Sequence, residues 1–413
     1  MKAPATLRTT CRACPGKLDP LLDLGPIVPS DFLRPDQPDP PPIPLALDFC
    51  HACGLVQLNR TTDPESLFRQ YWYHSGVNEV MRAELADIVE KTAALVGGWD
   101  RRDTVVDIGA NDGTLLSCIS GPLRIAYEPA HNLIPALTPH ADAIYNGFFP
   151  AGNLTTRSAK AIFSIAMFYD LDNPRAFVEE IDRILADDGV WVVQFQDLAQ
   201  MVETTAFDNV VAEHLCYYSV QTFASLLGET GLQIVRVEPR AINGGSVRIY
   251  VRRNPTSGDL PLSWLAYEET LTSPLALEKF AWQVGERRRI IQEMVRVALD
   301  RYGFIDMYGA STKASTLLQY CGLDYRQIRQ AAERTPEKHG LVTAGTRIPI
   351  VNEHTWRSDP APVSLAVIWQ FCDMILQREA EYLQQGGQFI FPLPVTRIVS
   401  YGQQVERPTG TDI

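Results

Sequence analysis

The chain lacks the features that mark membrane, secreted and nucleic-acid-binding proteins. None of its apolar runs approaches the ~20 residues that a membrane-spanning helix requires. Acidic residues outnumber basic ones by 49 to 37, giving a net charge of -12, whereas a nucleic-acid partner normally demands a basic face. No apolar signal segment follows Met1. We therefore expect a cytoplasmic globular protein that binds neither a membrane nor nucleic acid.

The eight cysteines do not form the disulfide framework of a small secreted protein. Half of them are scattered in mostly apolar surroundings, as buried free thiols are, at Cys118, Cys216, Cys321 and Cys372. The others form two C-x-x-C pairs, which can hold one metal ion in a tetrahedral site closed to solvent. Four sulfur ligands favour zinc, whereas a redox dithiol would need only one pair beside a helix. We predict one structural zinc ion held by Cys11, Cys14, Cys50 and Cys53.

At 413 residues the chain is too long for one ordinary core, so we expect several domains. A zinc-binding module is predicted at 1–62, where the prolines between the two cysteine pairs exclude a helix. A helical connector follows at 63–98, and an α/β domain at 99–255. A helical linker at 256–302 leads to a smaller α/β domain at 303–413.

The middle domain opens with a buried strand that runs into a glycine-bearing turn and a helix start, at 105–116. A second apolar run at 123–127 ends in Glu128, placed to accept hydrogen bonds from two ribose hydroxyls at the end of a parallel strand. Asn111-Asp112 places an acid in this loop, which suits a cofactor with a cationic centre better than one with two phosphates. An ordinary strand-to-helix turn is the alternative. The residues expected to bind the cofactor are Asp107, Gly109, Asn111, Gly113, Glu128 and Pro129.

Strands and helices alternate through the rest of the middle domain, which indicates a doubly wound parallel sheet. Apolar strands are predicted at 161–165 and 190–195, with a helix from Pro174 to Leu185 between them. Two last strands, 233–238 and 246–252, are joined by a tight Asn-Gly-Gly turn. This turn predicts an antiparallel hairpin with one reversed strand at the edge of the sheet.

The third domain repeats the strand, glycine turn and helix arrangement at 304–320, after a helical region at 262–302 that is interrupted at Pro274. Further elements are predicted as strands at 364–369 and 388–392, with a helix at 371–385 between them. The turn 309–313 places main-chain N–H groups, two hydroxyls and an ammonium at a helix start, which suits a phosphate group. Lysine at a helix start is also common without a ligand. The residues expected to bind substrate are Asn243, Gly244, Ser311, Lys313 and Arg347.

The segment 207–219 carries the residues best suited to proton transfer. His214 exchanges a proton near neutral pH, and the adjacent Glu213 is expected to orient it. Tyr217 offers a hydroxyl to a substrate oxygen. So does Tyr73, in an aromatic stretch that either covers a site or packs at a domain junction. The alternative for His214 is a histidine that caps the following helix.

Together these motifs resemble the three-domain sugar-nucleotide C-methyltransferases, S-adenosylmethionine-dependent enzymes that act on deoxysugar nucleotides in antibiotic pathways. The resemblance is carried by the four paired cysteines, the D-x-G-x-x-x-G form of 107–113, Glu128-Pro129, Glu213-His214 with Tyr217-Tyr218-Ser219, Gly244-Gly245-Ser246, and Tyr308–Ser311 with Lys313. It implies a class I methyltransferase domain that binds S-adenosylmethionine, a structural zinc, and a Rossmann-like third domain that helps hold a nucleotide diphosphate. It also implies that His214 removes a proton next to a keto group, so that the enolate carbon takes the methyl group.

Three positions depart from the family's pattern. The family usually has a tyrosine where this chain has Val211, and a histidine where it has Asn243. It also has a histidine after the fourth strand, where this chain has Tyr169, which is a donor but a poor base at neutral pH. Methylation of oxygen or nitrogen therefore stays open, as does a zinc-stabilised binding protein with a vestigial cofactor site. The nucleotide, and the choice between monomer and dimer, stay open too.

Overall fold

The computed structural model describes residues 5–150, 154–228, 230–255 and 260–406. Within these residues there are three larger sheets of four, seven and seven strands, and two two-stranded pairings. None of the helices in the described ranges combines the length and apolarity that crossing a membrane requires.

The N-terminal module is built on an antiparallel sheet whose edge strand contains prolines. Its strands are β1 (Thr6–Leu7), β2 (Leu18–Ile27), β3 (Phe32–Leu33), β4 (Ile43–Cys50), β5 (Val56–Leu58) and β6 (Arg60–Thr61). In the four-stranded sheet β2 lies at one edge, and its pairing with β4 shifts register beside Pro20 and Pro26. Proline has no N–H to give to a ladder, so it is tolerated at an edge strand or a bulge. The other edge is β12 (Cys216–Tyr217), which pairs with β5 although it lies outside 1–62.

The connector is not one continuous helical region, as its apolar spacing suggested. It forms α1 (Pro64–Phe68), a 3-10 turn at Ser75–Val77 and α2 (Glu79–Val96). Asn78 caps α2 by accepting a hydrogen bond from the Val80 N–H, and Gly97 ends the helix in a left-handed conformation with φ of 74°. The stretch between α1 and α2 does not continue the helix, because its N–H groups donate to the middle domain and Trp72 Nε1 donates to Asp31 of the zinc module.

The middle domain is a doubly wound sheet with the strand order β13-β14-β11-β10-β7-β8-β9. Its strands are β7 (Thr104–Ile108), β8 (Leu123–Tyr127), β9 (Ala143–Tyr145), β10 (Ala159–Ile165), β11 (Leu185–Gln196), β13 (Leu232–Arg240) and β14 (Ser246–Arg253). Its helices are α3 (Thr114–Ser117), α4 (Ile134–Leu137), α5 (Pro174–Ile184), α6 (Leu198–Glu203) and α7 (Val220–Leu227). Successive residues of a strand face opposite sides, so Val105 packs in one core cluster with α2 and Val106 in another.

The reversed strand of this sheet lies one position inside the edge, not at the edge. Strand β14 is antiparallel to both β11 and β13, and β13 is outermost. The first six residues of β14 are buried, as befits an inner strand, whereas β13 alternates between buried and more accessible positions. The hairpin was therefore predicted correctly and the position of its two strands was not.

The linker breaks at Pro274 as predicted, into α8 (Leu262–Thr272) and α9 (Pro274–Tyr302). The third domain has the strand order β18-β16-β15-β19-β20-β21-β22. Its strands, together with the short β17, are β15 (Ile305–Tyr308), β16 (Ile328–Glu333), β17 (Val342–Thr343), β18 (Ile350–Asn352), β19 (Val363–Ala366), β20 (Gln388–Phe391), β21 (Arg397–Ser400) and β22 (Gln403–Glu406). Its helices are α10 (Ala314–Tyr320), α11 (Glu353–Ser358), α12 (Cys372–Arg378) and α13 (Ala380–Gln384). The helix expected at 371–385 is thus divided at Glu379.

Short contacts join the zinc module to both other domains. Strand β17 pairs with β3 of the module. The buried Arg12 donates hydrogen bonds to Thr61 Oγ1 at 2.8 Å and to Asp172 Oδ1 of the middle domain at 3.2 Å. Arg175 of α5 returns a hydrogen bond to the Ala13 carbonyl at 2.8 Å. The cysteine pairs are therefore fixed against the end of the sheet where β10 stops.

A buried ion cluster holds α2 against the hairpin of the middle domain. The Arg248 side chain is fully buried and donates to Glu84 and Asp87, each at 2.7 Å, and to Glu238 at 3.3 Å. Removing one partner of a buried pair leaves uncompensated charge in a poorly solvated place.

We expect Arg248→Met to lower the free energy of unfolding by about 3–5 kcal/mol, because it removes the buried cation that three carboxylates share. Urea unfolding followed by circular dichroism measures this change. Arg102→Met is the matched control, since Arg102 is exposed and pairs with Asp100 two residues away; it should leave the urea midpoint unchanged. Equal midpoints for the two variants would show that the cluster does not hold the hairpin.

Candidate active site

The glycine turn after β7 requires glycine at two positions. Gly109 has φ of 74°, and a Cβ there would lie 3.1 Å from Met167 Cγ. Gly113 has φ of 81°, and a Cβ there would lie 3.0 Å from the His140 side chain. Both conformations are strained for any residue with a side chain. The turn therefore brings bare backbone to the carboxyl ends of the strands, where ligands of such sheets bind.

Glu128 lies at the end of β8 and braces this turn. Its Oε2 accepts the Asn111 N–H and its Oε1 accepts the Ala130 N–H, both at 2.7 Å. Each carboxylate oxygen has a second lone pair, so the group can also accept ribose hydroxyls. Burial raises the pKa of Glu128. Burial, with the neighbouring Glu128 charge, also raises the pKa of Asp107 to about 8, so Asp107 is a mostly neutral support beneath the turn.

The aromatic stretch before α2 lies over the same turn. Ser75 N–H donates to Asn111 Oδ1 at 3.0 Å, and Asn111 Nδ2 donates to the Tyr73 carbonyl at 3.0 Å. Gly76 N–H donates to Asp112 Oδ2 at 2.8 Å. Of the two interpretations left open, these hydrogen bonds favour a cover over the site. The Asp112 carboxylate therefore holds the covering segment in place. Pro129, which follows Glu128, accepts a hydrogen bond from Arg69 on its carbonyl at 3.2 Å.

His214 is held as a neutral ring with one defined tautomer. Its Nδ1 lies 3.0 Å from the main-chain carbonyl oxygen of Asn209, which can only accept, so Nδ1 carries the proton. Nε2 is left with the lone pair. The ring packs against Tyr169, with 4.3 Å between ring centroids. Burial, and then the positive charge of Lys313, lower the pKa of His214 to about 3, so the ring is neutral at physiological pH.

The Asn209 carbonyl, and not the Glu213 carboxylate, accepts the Nδ1 proton of His214. Ser30 Oγ of the zinc module donates to Glu213 Oε1 at 3.3 Å, so this carboxylate is directed toward the module. The Asn209 carbonyl takes the orienting role. A main-chain carbonyl leaves no sequence signal, and this explains why the sequence pointed to the neighbouring acid.

Tyr169 and Tyr217 lie close to the His214 ring. Tyr217 Oη donates to the Asn209 carbonyl at 3.4 Å. Burial raises the pKa of Tyr169 and of Tyr217 well above the usual range, so both stay protonated.

Sequence reasoning missed Asp170, whose Oδ1 is buried without a hydrogen-bond partner among the described residues. Burial, followed by the charge of Glu213, raises the pKa of Asp170 well above its usual range.

The side chain of Lys313, in the third domain, contacts the middle domain. Its Nζ donates to the main-chain carbonyl of Asn243 in the middle domain at 3.1 Å. The same carbonyl accepts Gln196 Nε2 at 3.1 Å. Asn243 has φ of 57°, a left-handed conformation that directs its carbonyl between the two donors. Sequence reasoning missed Gln196. Its position at the end of β11, where ligands of such sheets bind, could have identified it.

The other residues expected to bind substrate have contacts within the protein. Arg347 donates to the carbonyls of Gln37 and Pro35, at 2.9 and 2.6 Å, and so anchors the proline-rich segment. Ser311 Oγ accepts the Ala314 N–H at 3.2 Å, as a helix cap does. A Cβ on Gly244 would lie 3.3 Å from the Trp369 ring. We therefore correct Arg347 from a substrate contact to a contact between domains.

The four paired cysteines form one cluster. Their Sγ atoms all lie within 4.8 Å of one another, and the Cys11–Cys53 and Cys14–Cys50 Sγ distances are both 3.6 Å. The N–H groups of Ala13 and Gly16 point at Sγ atoms from 3.3 Å. A Cβ on Gly16 would lie 2.6 Å from Cys50 Sγ, so glycine is required there. Four converging thiols with supporting N–H donors fit a zinc ion held for structural purposes.

Comparison with known proteins matches all three parts of the chain. Family models match residues 11–68 as a zinc-binding domain, 77–237 as a methyltransferase domain and 241–394 as a C-methyltransferase C-terminal domain. The chain is 27% identical over 371 residues to the C-methyltransferase NovU of Streptomyces niveus, covering 86% of this chain and 88% of NovU. The chain belongs to the S-adenosylmethionine-dependent C-methyltransferases. The resemblance found in the sequence is thereby confirmed, and the alternative of a binding protein with a vestigial cofactor site is not supported.

Solved methyltransferases are similar to part of this C-methyltransferase. One is an S-adenosylmethionine-dependent methyltransferase from Aquifex aeolicus, 16% identical, which covers 43% of this chain and 94% of its own with a TM-score of 0.33. Another is the magnesium protoporphyrin IX methyltransferase of Synechocystis PCC 6803, 10% identical, with 43% and 82% coverage and a TM-score of 0.33. The class I fold of the C-methyltransferase is defined by its own strand order and family match, not by these likenesses.

The C-methyltransferase accordingly uses S-adenosylmethionine and one structural zinc ion. The glycine turn, Glu128 and the cover segment fit the methyl donor, because they combine bare backbone with a carboxylate placed for hydroxyls. When bound, S-adenosylmethionine supplies an electrophilic methyl group. The thiol cluster lies in another module, so the metal supports the fold rather than the transfer.

We expect about one zinc ion per chain of purified wild-type protein, because the four thiols close a tetrahedral site. Elemental analysis after gel filtration measures it. Cys50→Ser should lose most of the metal and lower the melting temperature, whereas Cys118→Ser, an exposed cysteine outside the cluster, should retain it. Folded wild-type protein that carries no zinc after growth in zinc-supplemented medium would contradict the assignment.

For the cofactor we expect Glu128→Gln to weaken S-adenosylhomocysteine binding about 10- to 100-fold, since the new NH₂ group faces two main-chain donors and charged hydrogen bonds are lost. Isothermal titration calorimetry gives the dissociation constants. Glu90→Gln, at an exposed position on α2, serves as the control. An unchanged affinity for Glu128→Gln would place the cofactor elsewhere.

Proposed function

We propose that this C-methyltransferase methylates a carbon next to the keto group of a nucleotide-linked deoxysugar, through an enolate. The observation that carries the proposal is the state of His214: a neutral ring whose Nε2 lone pair is fixed by the Nδ1 hydrogen bond to Asn209. Such a ring is ready to accept a proton without first losing one. The substrate class is supported by the family that the motifs resemble, and carbon as the acceptor by the likeness to NovU.

The proposed reaction transfers one proton to His214 and one methyl group to the substrate carbon. A hydrogen on the carbon beside a ketone is acidic, and His214 Nε2 takes it as a proton. The electron pair of that C–H bond forms a carbon–carbon double bond while the carbonyl π pair moves to oxygen. The enolate carbon would then attack the methyl group in line as the bond between sulfur and methyl breaks, which would restore the ketone and release S-adenosylhomocysteine. Holding carbon and methyl group in line accounts for much of the rate in such a transfer.

Burial suits this chemistry in two ways. The hydroxyls of Tyr169 and Tyr217 remain protonated, so neither competes with His214 for the substrate proton. Burial and the Lys313 cation both disfavour the imidazolium and so lower the pKa of His214 to about 3. When a substrate oxygen gains negative charge nearby, the imidazolium formed with it gains an opposite charge. The base therefore becomes stronger as the reaction proceeds.

We expect wild-type enzyme to exchange solvent deuterium into a 4-keto sugar without the methyl donor. The probes are dTDP-4-keto-6-deoxyglucose and its UDP and GDP counterparts, followed by proton NMR. His214→Gln should lower the exchange rate at least about 100-fold, the usual contribution of a general base. His354→Gln, an exposed histidine of the third domain, should exchange at the wild-type rate.

Two outcomes would contradict the proposal. Methylation of a probe without any exchange would point to oxygen or nitrogen as the acceptor. Full exchange by His214→Gln would assign the base to another residue, with Asp170 the next candidate because its carboxyl is also buried in this cleft.

A further inference from the structure

Lys313 belongs to the third domain but makes its contact in the middle domain. It directly precedes α10, and its ammonium donates to the Asn243 carbonyl at 3.1 Å. Within the described residues this is the hydrogen bond that the ammonium makes, and an ammonium has three N–H donors. Two donor directions therefore remain for a ligand in the cleft between the two domains.

A chain of hydrogen bonds fixes Lys313 relative to the base. Gln196 Nε2 donates to the same Asn243 carbonyl at 3.1 Å and to Asn209 Oδ1 at 2.9 Å. The Asn209 carbonyl in turn accepts His214 Nδ1 at 3.0 Å. Asn209 is 3% exposed, so its geometry is set by the protein rather than by solvent. Gln196 and Asn209 thus position a cation and a base along one rigid path.

The charges around the ammonium agree with this arrangement. Asp208 and His214 are the titratable groups that interact with Lys313, and Trp369 Nε1 donates to Asp208 Oδ2 at 2.8 Å. Burial lowers the pKa of Lys313 to about 8, and Asp208 opposes that shift. The ammonium is therefore mostly charged at neutral pH. Asp208 and His214 both interact electrostatically with the ammonium, so its charge acts where a substrate bound by His214 would lie.

We propose that Lys313 is a catalytic residue of the methyl transfer and that its ammonium donates to the enolate oxygen formed when His214 takes the proton. The inference rests on the proposed function and assigns the third domain a part in the chemistry, where a phosphate contact was expected. The proton goes to His214 Nε2, the carbonyl π pair goes to oxygen, and the oxyanion lies against the Lys313 N–H. When the new carbon–carbon bond forms, the ketone returns and Lys313 is unchanged. A preorganised donor of this kind acts most strongly in a cleft with little water.

The test compares Lys313→Met and Lys313→Arg with the wild type, in deuterium exchange and in full turnover with the 4-keto sugar probes. Lys313→Met should exchange about 100- to 1,000-fold more slowly, as after removal of one oxyanion donor. Lys313→Arg should recover part of that loss, because it restores a charged donor. Lys160→Met is the control, since Lys160 pairs with Asp188 at the opposite end of β10. Calorimetry with S-adenosylhomocysteine checks that each variant is folded.

A pH profile adds a result that a merely structural lysine would not give. In the wild type kcat/KM should fall above about pH 8, where Lys313 loses its proton. In Lys313→Arg the fall should move up by at least about one pH unit, since arginine stays protonated.

The outcomes separate the inference from the proposed function. Wild-type enzyme that neither exchanges nor methylates any probe would overturn the proposed function. If the wild type exchanges and Lys313→Met exchanges within about threefold of it, Lys313 is not catalytic. A loss confined to KM, with kcat and exchange unchanged, would return Lys313 to phosphate binding and overturn the inference.

Discussion

Polar groups in a dry junction must find partners, and in this protein many of those partners belong to another domain. Asp172 of the middle domain accepts a hydrogen bond from Arg12 of the zinc module, and Glu213 accepts one from Ser30. From the other side, the third domain supplies Trp369 to Asp208. These bonds span long stretches of sequence, so the cleft exists only when all three domains are in place. Its electrostatics therefore cannot be assigned to the methyltransferase fold alone.

Local signals in the sequence were sufficient for the features that local backbone chemistry dictates. Gly109 and Gly113 marked a turn that no side chain tolerates, Glu128 marked the end of the next strand, and the C-x-x-C pairs marked a metal cluster. The break at Pro274 followed from the missing N–H of proline. In each case the residue type itself carries the constraint, so one sequence was enough.

Partners across domains were not predictable in the same way. Arg347 looked like a phosphate ligand because its charge was visible, whereas the carbonyls of Pro35 and Gln37 that it binds leave no trace in the sequence. Glu213 was preferred over the Asn209 carbonyl for the same reason. Strand β16 was missed because its sequence, Ile-Arg-Gln-Ala-Ala-Glu, has no apolar run. The order of β13 and β14 was missed because a hairpin turn fixes their pairing but not which strand lies inside.

The two-residue strand β12 joins the segment that carries His214 to the zinc module. Tyr217 lies in that strand, and its backbone is registered against Val56 in the sheet that the cysteine cluster closes. Loss of the metal would thus disturb the position of Tyr217, because this residue is held by a single pair of strands. The segment that carries His214 is therefore built into the same sheet as the metal cluster, and the two cannot shift independently.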